Sequence, residues 1–361
     1  MGKDIHNYQQ PFDVLDFVNA ARSIPSQVQP SAPKQDERRT HASSKNPLRP
    51  KTLKEFIGQE DMKEVLMRDV HAWRRGGIPI NHTLFATGPG RGKTTLAYCL
   101  AEEMGVRVEM RKCPIDIRTL IELGQTMQDG EILMLDEIHL QAKGKSASND
   151  SAVLYKVMED GIIETEQGAF NFPSITIIGA TTDEGLLPEP LLARFVNRPV
   201  FEDYTISELR HIAKNASRKI EIDISDGATK IMAEASQGTP RTINNMIMQA
   251  RSIMHSFNEK MITDLIAFVV LKNQKIAKDG LTFMQEKYLN ALWERKRQKP
   301  DGEWLVKASL ATMAHAIGRG GDDKFVKNNI EPELIRRGFV DIIPGGRELT
   351  PKGMNRIGVS F

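Results

Sequence analysis

Apolar and polar residues follow two different patterns along this chain. Between residues 47 and 202, short apolar runs alternate with longer stretches in which apolar residues recur every three or four positions. The apolar runs predict strands at 83–87, 106–111, 131–136 and 174–180, with helices between them. Because strands that alternate with helices form parallel sheets, we predict an α/β domain over residues 47–202.

The pattern changes after residue 202. Amphipathic helical stretches dominate 203–280, among them SELRHIAKNASRK, SDGATKIMAEASQ and PRTINNMIMQARSIMHSF, and they predict a small all-helical lid domain. In 281–361, helical segments precede RRGFVDIIPGGRELTPKG, where two short apolar runs flank a Pro-Gly-Gly turn. A β-wing that follows helices is typical of a winged helix-turn-helix, a DNA-binding domain.

Residues 1–46 differ from the rest of the chain. They are rich in Pro, Ser, Gln and charged residues, which predicts a flexible N-terminal extension. Within it, the string PFDVLDFVNAAR places several apolar side chains on one possible helical face: Phe12, Val14, Leu15, Phe17 and Val18. A docking peptide for a partner and a transient helix without a role both remain open.

Composition narrows the class of protein. With 40% apolar and 27% charged residues, the chain is typical of globular proteins, and its net charge of +2 restricts any nucleic-acid surface to a local patch. The two cysteines, Cys99 and Cys113, are too few for a disulfide framework and lack metal-ligand spacing. Since no apolar run approaches the roughly 18 residues of a membrane span and the N-terminus lacks the apolar region of a signal peptide, we predict a cytoplasmic protein.

A glycine-rich string, TGPGRGKTT at 87–95, lies between the apolar run HTLFA and the helical pattern TTLAYCLAEEM. Gly88, Gly90 and Gly92 allow backbone N–H groups to curl around a polyphosphate, and the N-terminus of the following helix favours an anion. A strand, a turn of this kind and a helix are the layout of a phosphate-binding loop.

Two side chains of this string would complete the phosphate site. Lys93 is placed to reach the β- and γ-phosphates, and the hydroxyl of Thr94 is placed to coordinate Mg²⁺. Thr87 departs from the usual G-x-x-x-x-G-K-[ST] pattern, which has glycine at this position, and we expect it to strain the turn.

A second motif, EILMLDEIH at 131–139, places two acids after an apolar run suited to a central strand. Asp136 would hold Mg²⁺ through water, and Glu137 would polarise the water that attacks the γ-phosphate. A core strand that ends in solvated acids is the alternative, but the phosphate loop upstream favours the catalytic interpretation. The two motifs together predict ATP binding and hydrolysis.

Three more residues could complete the predicted site of ATP hydrolysis. Thr182, at the end of SITIIGATT, could sense the γ-phosphate and orient the attacking water. Arg194, in PEPLLARF, could reach the ATP of a neighbouring subunit, or form a surface salt bridge. Arg241, in GTPR, could reach the phosphates from the lid, or simply follow a good helix start at Pro240.

In this order the motifs resemble those of AAA+ ATPases and, more narrowly, of the RuvB family of Holliday-junction branch-migration motors. The resemblance covers about residues 46–358 and is carried by LRPKTLKEFIGQE, LDEIH, VMEDG, IIGATT, ARF, GTPR, EPELIRRGF and LTPKG. It implies an ATPase, a DNA helicase driven by ATP, with an AAA+ P-loop core built on a parallel sheet, a small helical lid and a C-terminal winged-helix domain. The implied limits are 1–46, 47–202, 203–280 and 281–361.

The resemblance also implies roles for particular residues. It places Leu48 and Arg49 near the base, Gly90, Gly92, Lys93, Thr94 and Thr95 at the phosphates, Glu159 and Asp160 near the subunit interface, Tyr204 and Arg241 on the lid side, and Arg194 in the neighbouring site. It further implies a homo-hexameric ring around duplex DNA, a RuvA-like loader at four-way junctions, and contact of the winged helix with the DNA backbone.

Several strings depart from the family pattern. Leu192 stands where the family has a first arginine, and the hairpin that grips RuvA is shorter. The wing reads IIPGGRE, with Ile342 and Gly345 at basic positions, so Arg347 is the DNA contact that we predict. The nearby run ERKRQK is more typical of a solvated helix end. A clamp-loader-like remodeller of a protein ring and a DNA-binding module with a decayed ATP site are the alternatives.

Overall fold

A computed structural model describes residues 47–142, 147–165, 168–298 and 304–359. The apolar string at 12–18 lies outside these ranges. The chain divides into two units, Met1–Glu202 and Asp203–Phe361, which are described separately below. Within the described ranges, no helix is both long enough and apolar enough to cross a membrane.

The first unit is built on a parallel sheet. Its strands are β1 (Thr83–Ala86), β2 (Val108–Lys112), β3 (Ile132–Asp136), β4 (Ile162–Thr165), β5 (Gly168–Asn171) and β6 (Thr176–Thr181). The sheet has the order β1-β6-β3-β2, while β4 and β5 form a separate antiparallel hairpin. Because all strands of the sheet run the same way, the carboxyl ends of β1, β6 and β3 meet at one edge, where ligands bind in α/β sheets.

Helices cover both faces of this sheet. They are α1 (Glu60–Gly76), α2 (Lys93–Met104), α3 (Ile117–Thr126), α4 (Ala147–Asp160) and the short α5 (Glu189–Leu192). Leu133 and Leu135 of β3 pack in the core that contains α3 and α4, whereas Ile132 and Met134 pack in the core that contains α1 and α2. Burial on both faces explains why β3 reads as a continuous apolar run.

The two cysteines behave as small core residues. Cys99 and Cys113 are both buried with free thiols, one in each of the two cores. Burial raises the pKa of the Cys113 thiol to about 12, with a further contribution from the charge of Asp136. A thiol held in its neutral form is a poor nucleophile and a poor metal ligand, so neither chemistry is indicated here.

The second unit begins with the helical lid. Its elements are α6 (Ile206–Lys219), β7 (Asp223–Ile224), α7 (Asp226–Ala235), α8 (Pro240–Ser256), β8 (Met261–Ile262) and α9 (Asp264–Gln274). The start of α6 follows from a capping box, in which Thr205 and Glu208 each accept the other's backbone N–H. The helical lid is confirmed. In addition, β7 and β8 form a parallel pair of two residues each, which the helical pattern of the sequence did not predict.

The rest of the second unit is a winged-helix domain. Its elements are α10 (Phe283–Trp293), β9 (Lys296–Gln298), β10 (Trp304–Ala308), α11 (Leu310–Ala316), α12 (Asp323–Phe325), α13 (Glu331–Arg336), β11 (Val340–Ile343), β12 (Gly346–Leu349) and α14 (Pro351–Arg356). They include an antiparallel sheet of order β11-β12-β10-β9, in which β11 and β12 form the predicted wing. The run ERKRQK begins at the end of α10, as expected, but Lys296–Gln298 then pairs with β10, which the sequence did not predict.

Candidate functional site

The loop between β1 and α2 has the backbone of a phosphate-binding turn. Gly90 and Gly92 have φ values of 78° and 106°, in the left-handed region where glycine alone is free of side-chain clashes. Gly92 directly precedes α2, so the loop ends at a helix N-terminus. Thr87 is not among the non-glycine residues with positive φ, and its N–H donates to the carbonyl of Thr181 over 3.2 Å. The expected strain at Thr87 is therefore absent from its backbone.

Lys93 is the first residue of α2, and its side chain folds back over this loop. The residue is only 8% exposed, and its Nζ donates to the carbonyls of Thr87 over 2.6 Å and Gly88 over 3.1 Å. Thr94 and Thr95 follow in the first turn of α2 and are partly exposed. An ammonium curled over the loop carbonyls can turn to a phosphate, because a charged acceptor forms the stronger hydrogen bond.

The acidic motif turns sharply at the end of β3. Asp136 is the last residue of the strand, and its Oδ1 accepts the N–H of Glu137 over 3.1 Å. Glu137 has φ 52° and ψ 46°, a left-handed conformation that costs a non-glycine residue about 1–3 kcal/mol. The hydroxyl of Thr182, just beyond β6, donates to Oε2 of Glu137 over 3.3 Å. The structure thus brings two of the predicted catalytic residues together at one edge of the sheet.

His139 belongs to the same cluster, and our reasoning from the sequence did not select it. Its Nδ1 lies 3.4 Å from Oε2 of Glu137 and 2.9 Å from Oγ1 of Thr181. A signal was available, since His139 stands two positions after Glu137 in the string LDEIH. The string does not reveal the contact with Thr181, which is 42 positions away in the chain.

The donor atoms at this edge fit a magnesium nucleotide. Thr94 offers a hydroxyl and Asp136 a carboxylate, both hard oxygen ligands of the kind that Mg²⁺ takes. Among the described residues, no group of three or more His, Cys, Asp and Glu side chains could hold a metal ion by itself. Because Mg²⁺ at phosphate-transfer sites uses one or two protein ligands together with the phosphates, this donor set suits a metal that arrives with its nucleotide.

Phe195 anchors the segment that carries Arg194. Phe195 is 2% exposed, and its ring packs against Gly179 in the middle of β6. A Cβ at Gly179 would lie 2.7 Å from Cζ of Phe195, so only glycine leaves room for the ring. Gly179 of IIGATT and Phe195 of ARF therefore pack against each other. This contact holds Arg194, the residue before Phe195, in position.

The guanidinium of Arg194 lies at the end of α4. It donates to Oε2 of Glu159 over 2.5 Å, to the carbonyl of Tyr155 over 3.3 Å and to the carbonyl of Pro190 over 2.5 Å. It also stacks on the ring of Tyr155, 4.8 Å from the ring centroid. Asp160 is the last residue of α4 and is exposed. Arg194, Glu159 and Asp160 therefore lie together at one surface of the first unit.

The segment that opens the first unit packs on α2. Leu48 is buried, and the guanidinium of Arg49 lies 5.6 Å from the centroid of the Tyr98 ring. Cys99 donates to the carbonyl of Pro50 over 3.4 Å, which ties the segment to the same helix. The helix α2 begins at the phosphate loop. The segment predicted to contact the base therefore lies beside the helix whose N-terminus is predicted to bind the phosphates.

Tyr204 and Arg241 lie in the second unit. Tyr204 is buried just before α6, and Arg241 is exposed in the first turn of α8, directly after Pro240. Pro240 occupies the first helical position, where its missing N–H costs nothing. The nucleotide roles of both residues stay predictions.

Arg347 forms a paired contact inside the winged-helix domain. Its Nε and Nη2 donate to the two carboxylate oxygens of Glu331 over 2.8 and 3.0 Å, and the hydroxyl of Tyr288 donates to the same carboxylate over 2.7 Å. The side chain of Arg347 is 14% exposed and that of Glu331 only 1%. The Glu331 carboxylate raises the pKa of the guanidinium. Burial and, after it, the same carboxylate raise the pKa of the Tyr288 hydroxyl. Arg347 therefore connects β12 to α13, and its contact with DNA stays a prediction.

Replacing Arg347 by alanine should lower the free energy of unfolding of the protein by about 3–5 kcal/mol, because it leaves the Glu331 carboxylate buried without its cation. Urea unfolding measures the change. Arg297, an exposed arginine on strand β9 of the same sheet, is the matched control, and Arg297→Ala should change the stability by less than about 0.5 kcal/mol. Equal effects of the two substitutions would contradict the structural role of the Arg347–Glu331 pair.

Three consecutive segments of the chain match the three domains of one family. Residues 48–199 match the Holliday junction DNA helicase RuvB P-loop domain, residues 204–277 the RuvB AAA lid domain, and residues 278–358 the RuvB C-terminal winged helix domain. The chain belongs to the RuvB family. The P-loop core, the lid and the winged-helix domain that the sequence predicted are thereby confirmed.

Individual RuvB proteins are similar over most of their length. The Holliday junction branch migration complex subunit RuvB of Thermobifida fusca is 32% identical over 323 residues, which cover 87% of this chain and 88% of the relative. The RuvB subunit of Oenococcus oeni is 31% identical over 324 residues, which cover 87% and 92%. Among solved structures, the Thermotoga maritima RuvB Holliday junction branch migration motor superimposes with a TM-score of 0.73 at 28% identity and covers 87% of this chain and 99% of its own.

Proposed function

We propose that this protein is an ATP-dependent DNA motor that drives branch migration of Holliday junctions in recombination and repair. One observation carries the proposal. The phosphate loop, Asp136, Glu137 and Thr182 meet at one edge of a parallel sheet, in a chain that also contains the lid and the winged helix of RuvB. Its relatives are named as subunits of the Holliday junction branch migration complex.

The residues at this edge are suited to hydrolysis of the γ-phosphate of ATP. Glu137 accepts a proton from the attacking water, whose oxygen bonds to the γ-phosphorus while the bond to the bridging oxygen breaks and ADP leaves. Lys93 compensates negative charge on the phosphates, and Thr182 orients the water and reports the state of the γ-phosphate. Thr94 and Asp136 would hold Mg²⁺, which would neutralise negative charge on the phosphates.

The remaining predicted residues surround the nucleotide in this proposal. Leu48 and Arg49 contact the base, Gly90, Gly92 and Thr95 the phosphates, and Tyr204 and Arg241 the lid side of the nucleotide. Six copies of the chain form a ring, in which Arg194 reaches the ATP of the neighbouring subunit. The location of Arg194 beside Glu159 and Asp160, at one surface of the unit, supports an interface role for all three.

On the DNA side, we propose that the winged helix contacts the duplex backbone without reading bases, with Arg347 among its contacts. We retain the limits 1–46, 47–202, 203–280 and 281–361 for the extension, the ATPase domain, the lid and the winged helix. A RuvA-like protein would load the ring at four-way junctions in the cytoplasm. The winged-helix match favours this motor over a clamp-loader-like remodeller, whose relatives generally lack that domain.

The test is ATP-dependent dissociation of a synthetic four-way junction, with and without a RuvA-type loader. A linear duplex and a fork serve as comparison substrates, and Lys93→Ala is the inactive control, since it removes the cation at the phosphates. Junction-selective dissociation that the control loses would support the motor. Robust ATP hydrolysis without junction processing would contradict it and would favour a remodeller that acts on a protein.

A further inference from the structure

His139 lies where strands β3 and β6 end. It belongs to the short helical turn Ile138–Leu140, directly after Glu137, and its side chain is 11% exposed. Its Nδ1 lies 2.9 Å from Oγ1 of Thr181 and 3.4 Å from Oε2 of Glu137. The proposed function assigns no role to this histidine.

The hydrogen bonds of Thr181 determine which atom carries the proton. Its hydroxyl donates to the carbonyl of Asp183 over 3.1 Å and accepts the N–H of Asp183 over 3.0 Å. Because a hydroxyl has one hydrogen and two lone pairs, a lone pair is all that is left for His139. With its hydrogen on the carbonyl of Asp183, the Thr181 hydroxyl accepts from Nδ1 of His139, in the tautomer that carries its proton at this nitrogen.

The same ring nitrogen also lies 3.4 Å from Oε2 of Glu137. This oxygen accepts the hydroxyl of Thr182 over 3.3 Å. Across the described ranges of the chain, no protein hydrogen bond to Oε1 of Glu137 is found. Oε2 of Glu137 thus accepts one hydrogen bond and has the His139 ring beside it, which leaves Oε1 for a water molecule.

We propose that His139 is a positioning residue for ATP hydrolysis. Its ring, held by the hydrogen bond to Thr181, packs beside Oε2 of Glu137 and restricts that carboxylate, so that Oε1 is presented to the attacking water. The inference rests on the proposed function, because it needs Glu137 to be the group that accepts the proton. It adds a link between the acidic motif after β3 and Thr181 at the end of β6, through a side chain that lies against both.

The test compares two substitutions of the same residue. His139→Leu keeps an apolar side chain of similar size but removes the donor, whereas His139→Asn retains an N–H close to the position of Nδ1. We expect His139→Leu to lower kcat for ATP hydrolysis roughly 10- to 100-fold and to leave the Kd for ATP unchanged, as displacement of a catalytic group does. His139→Asn should restore most of the lost kcat.

A second pair of variants separates positioning from folding. In a Glu137→Gln background, His139→Leu should lower the residual kcat no further, because its effect passes through Glu137. Thr181→Val removes the hydroxyl that orients the ring, and it should reduce kcat in the same way even if His139→Leu fails to fold. Thermal melting of each variant shows whether it is folded.

The outcomes are distinct from those that test the motor itself. Wild-type kcat in both His139→Leu and Thr181→Val, or equal losses in His139→Leu and His139→Asn, would overturn the positioning role while ATP hydrolysis by the wild type stands. If the wild-type protein hydrolysed no ATP with junction DNA present, the proposed function would fail, and the positioning role with it.

Discussion

Replacing Arg194 by alanine should leave ATP binding intact and lower the rate of ATP hydrolysis by about 10³- to 10⁵-fold, the range measured for arginines supplied in trans to a transferring phosphoryl group. The guanidinium contacts Glu159, Tyr155 and Pro190 in its own chain. These contacts fix its position at the surface before a neighbouring subunit binds. Steady-state ATPase rates, together with the Kd of a fluorescent ATP analogue, separate the loss of turnover from any loss of binding.

Arg194→Lys is the matched control for charge. A lysine keeps the cation but loses the planar fork, which the contacts with Glu159 and Tyr155 use. We therefore expect Arg194→Lys to recover little of the turnover. Wild-type turnover in Arg194→Ala would contradict the catalytic role.

Mixed rings test whether Arg194 acts on the neighbouring subunit. An Arg194→Ala subunit still supplies Glu137, and a Glu137→Gln subunit still supplies Arg194. Interfaces that combine the intact Glu137 of one variant with the intact Arg194 of the other should therefore regain ATP hydrolysis. If mixing the two inactive variants rescues nothing, the assignment of Arg194 to the neighbouring site is wrong.

Replacing Glu137 by glutamine should lower kcat for ATP hydrolysis by about 10²- to 10⁴-fold, the contribution typical of a positioned general base. The amide has nearly the shape of the carboxylate, and its oxygen can still accept the hydroxyl of Thr182 and lie beside Nδ1 of His139. The geometry is therefore kept, and the loss isolates the ability to accept a proton. ATP should bind to this variant as tightly as to the wild type.

Glu184→Gln is the matched control for this substitution. Glu184 lies in the turn after β6 and is exposed, and no role in the nucleotide site is assigned to it. The same change from carboxylate to amide should leave kcat unaltered there. Comparable losses in Glu137→Gln and Glu184→Gln would show that general electrostatics, and not proton transfer at Glu137, controls the rate.

Much of the site could be predicted from the sequence, because the signals are local. The turn with Gly90 and Gly92, the apolar run before Asp136 and the Pro-Gly-Gly turn of the wing each depend on residues within one element. Local signals failed where pairing with a distant strand decided the structure. Lys296–Gln298 lies in a charged run that suits a helix end, yet it is a strand because β10 lies alongside it.

The sequence alone therefore establishes the strands of the parallel sheet, the order of the three domains and the motifs that identify the RuvB family. Tertiary structure decides which side chains meet. His139 and Thr181 are 42 positions apart, Arg194 and Glu159 are 35 apart, and Arg347 and Glu331 are 16 apart. Periodicity and backbone propensity extend over one helix or strand, whereas these contacts depend on the order of strands in a sheet and on the packing of one element against another.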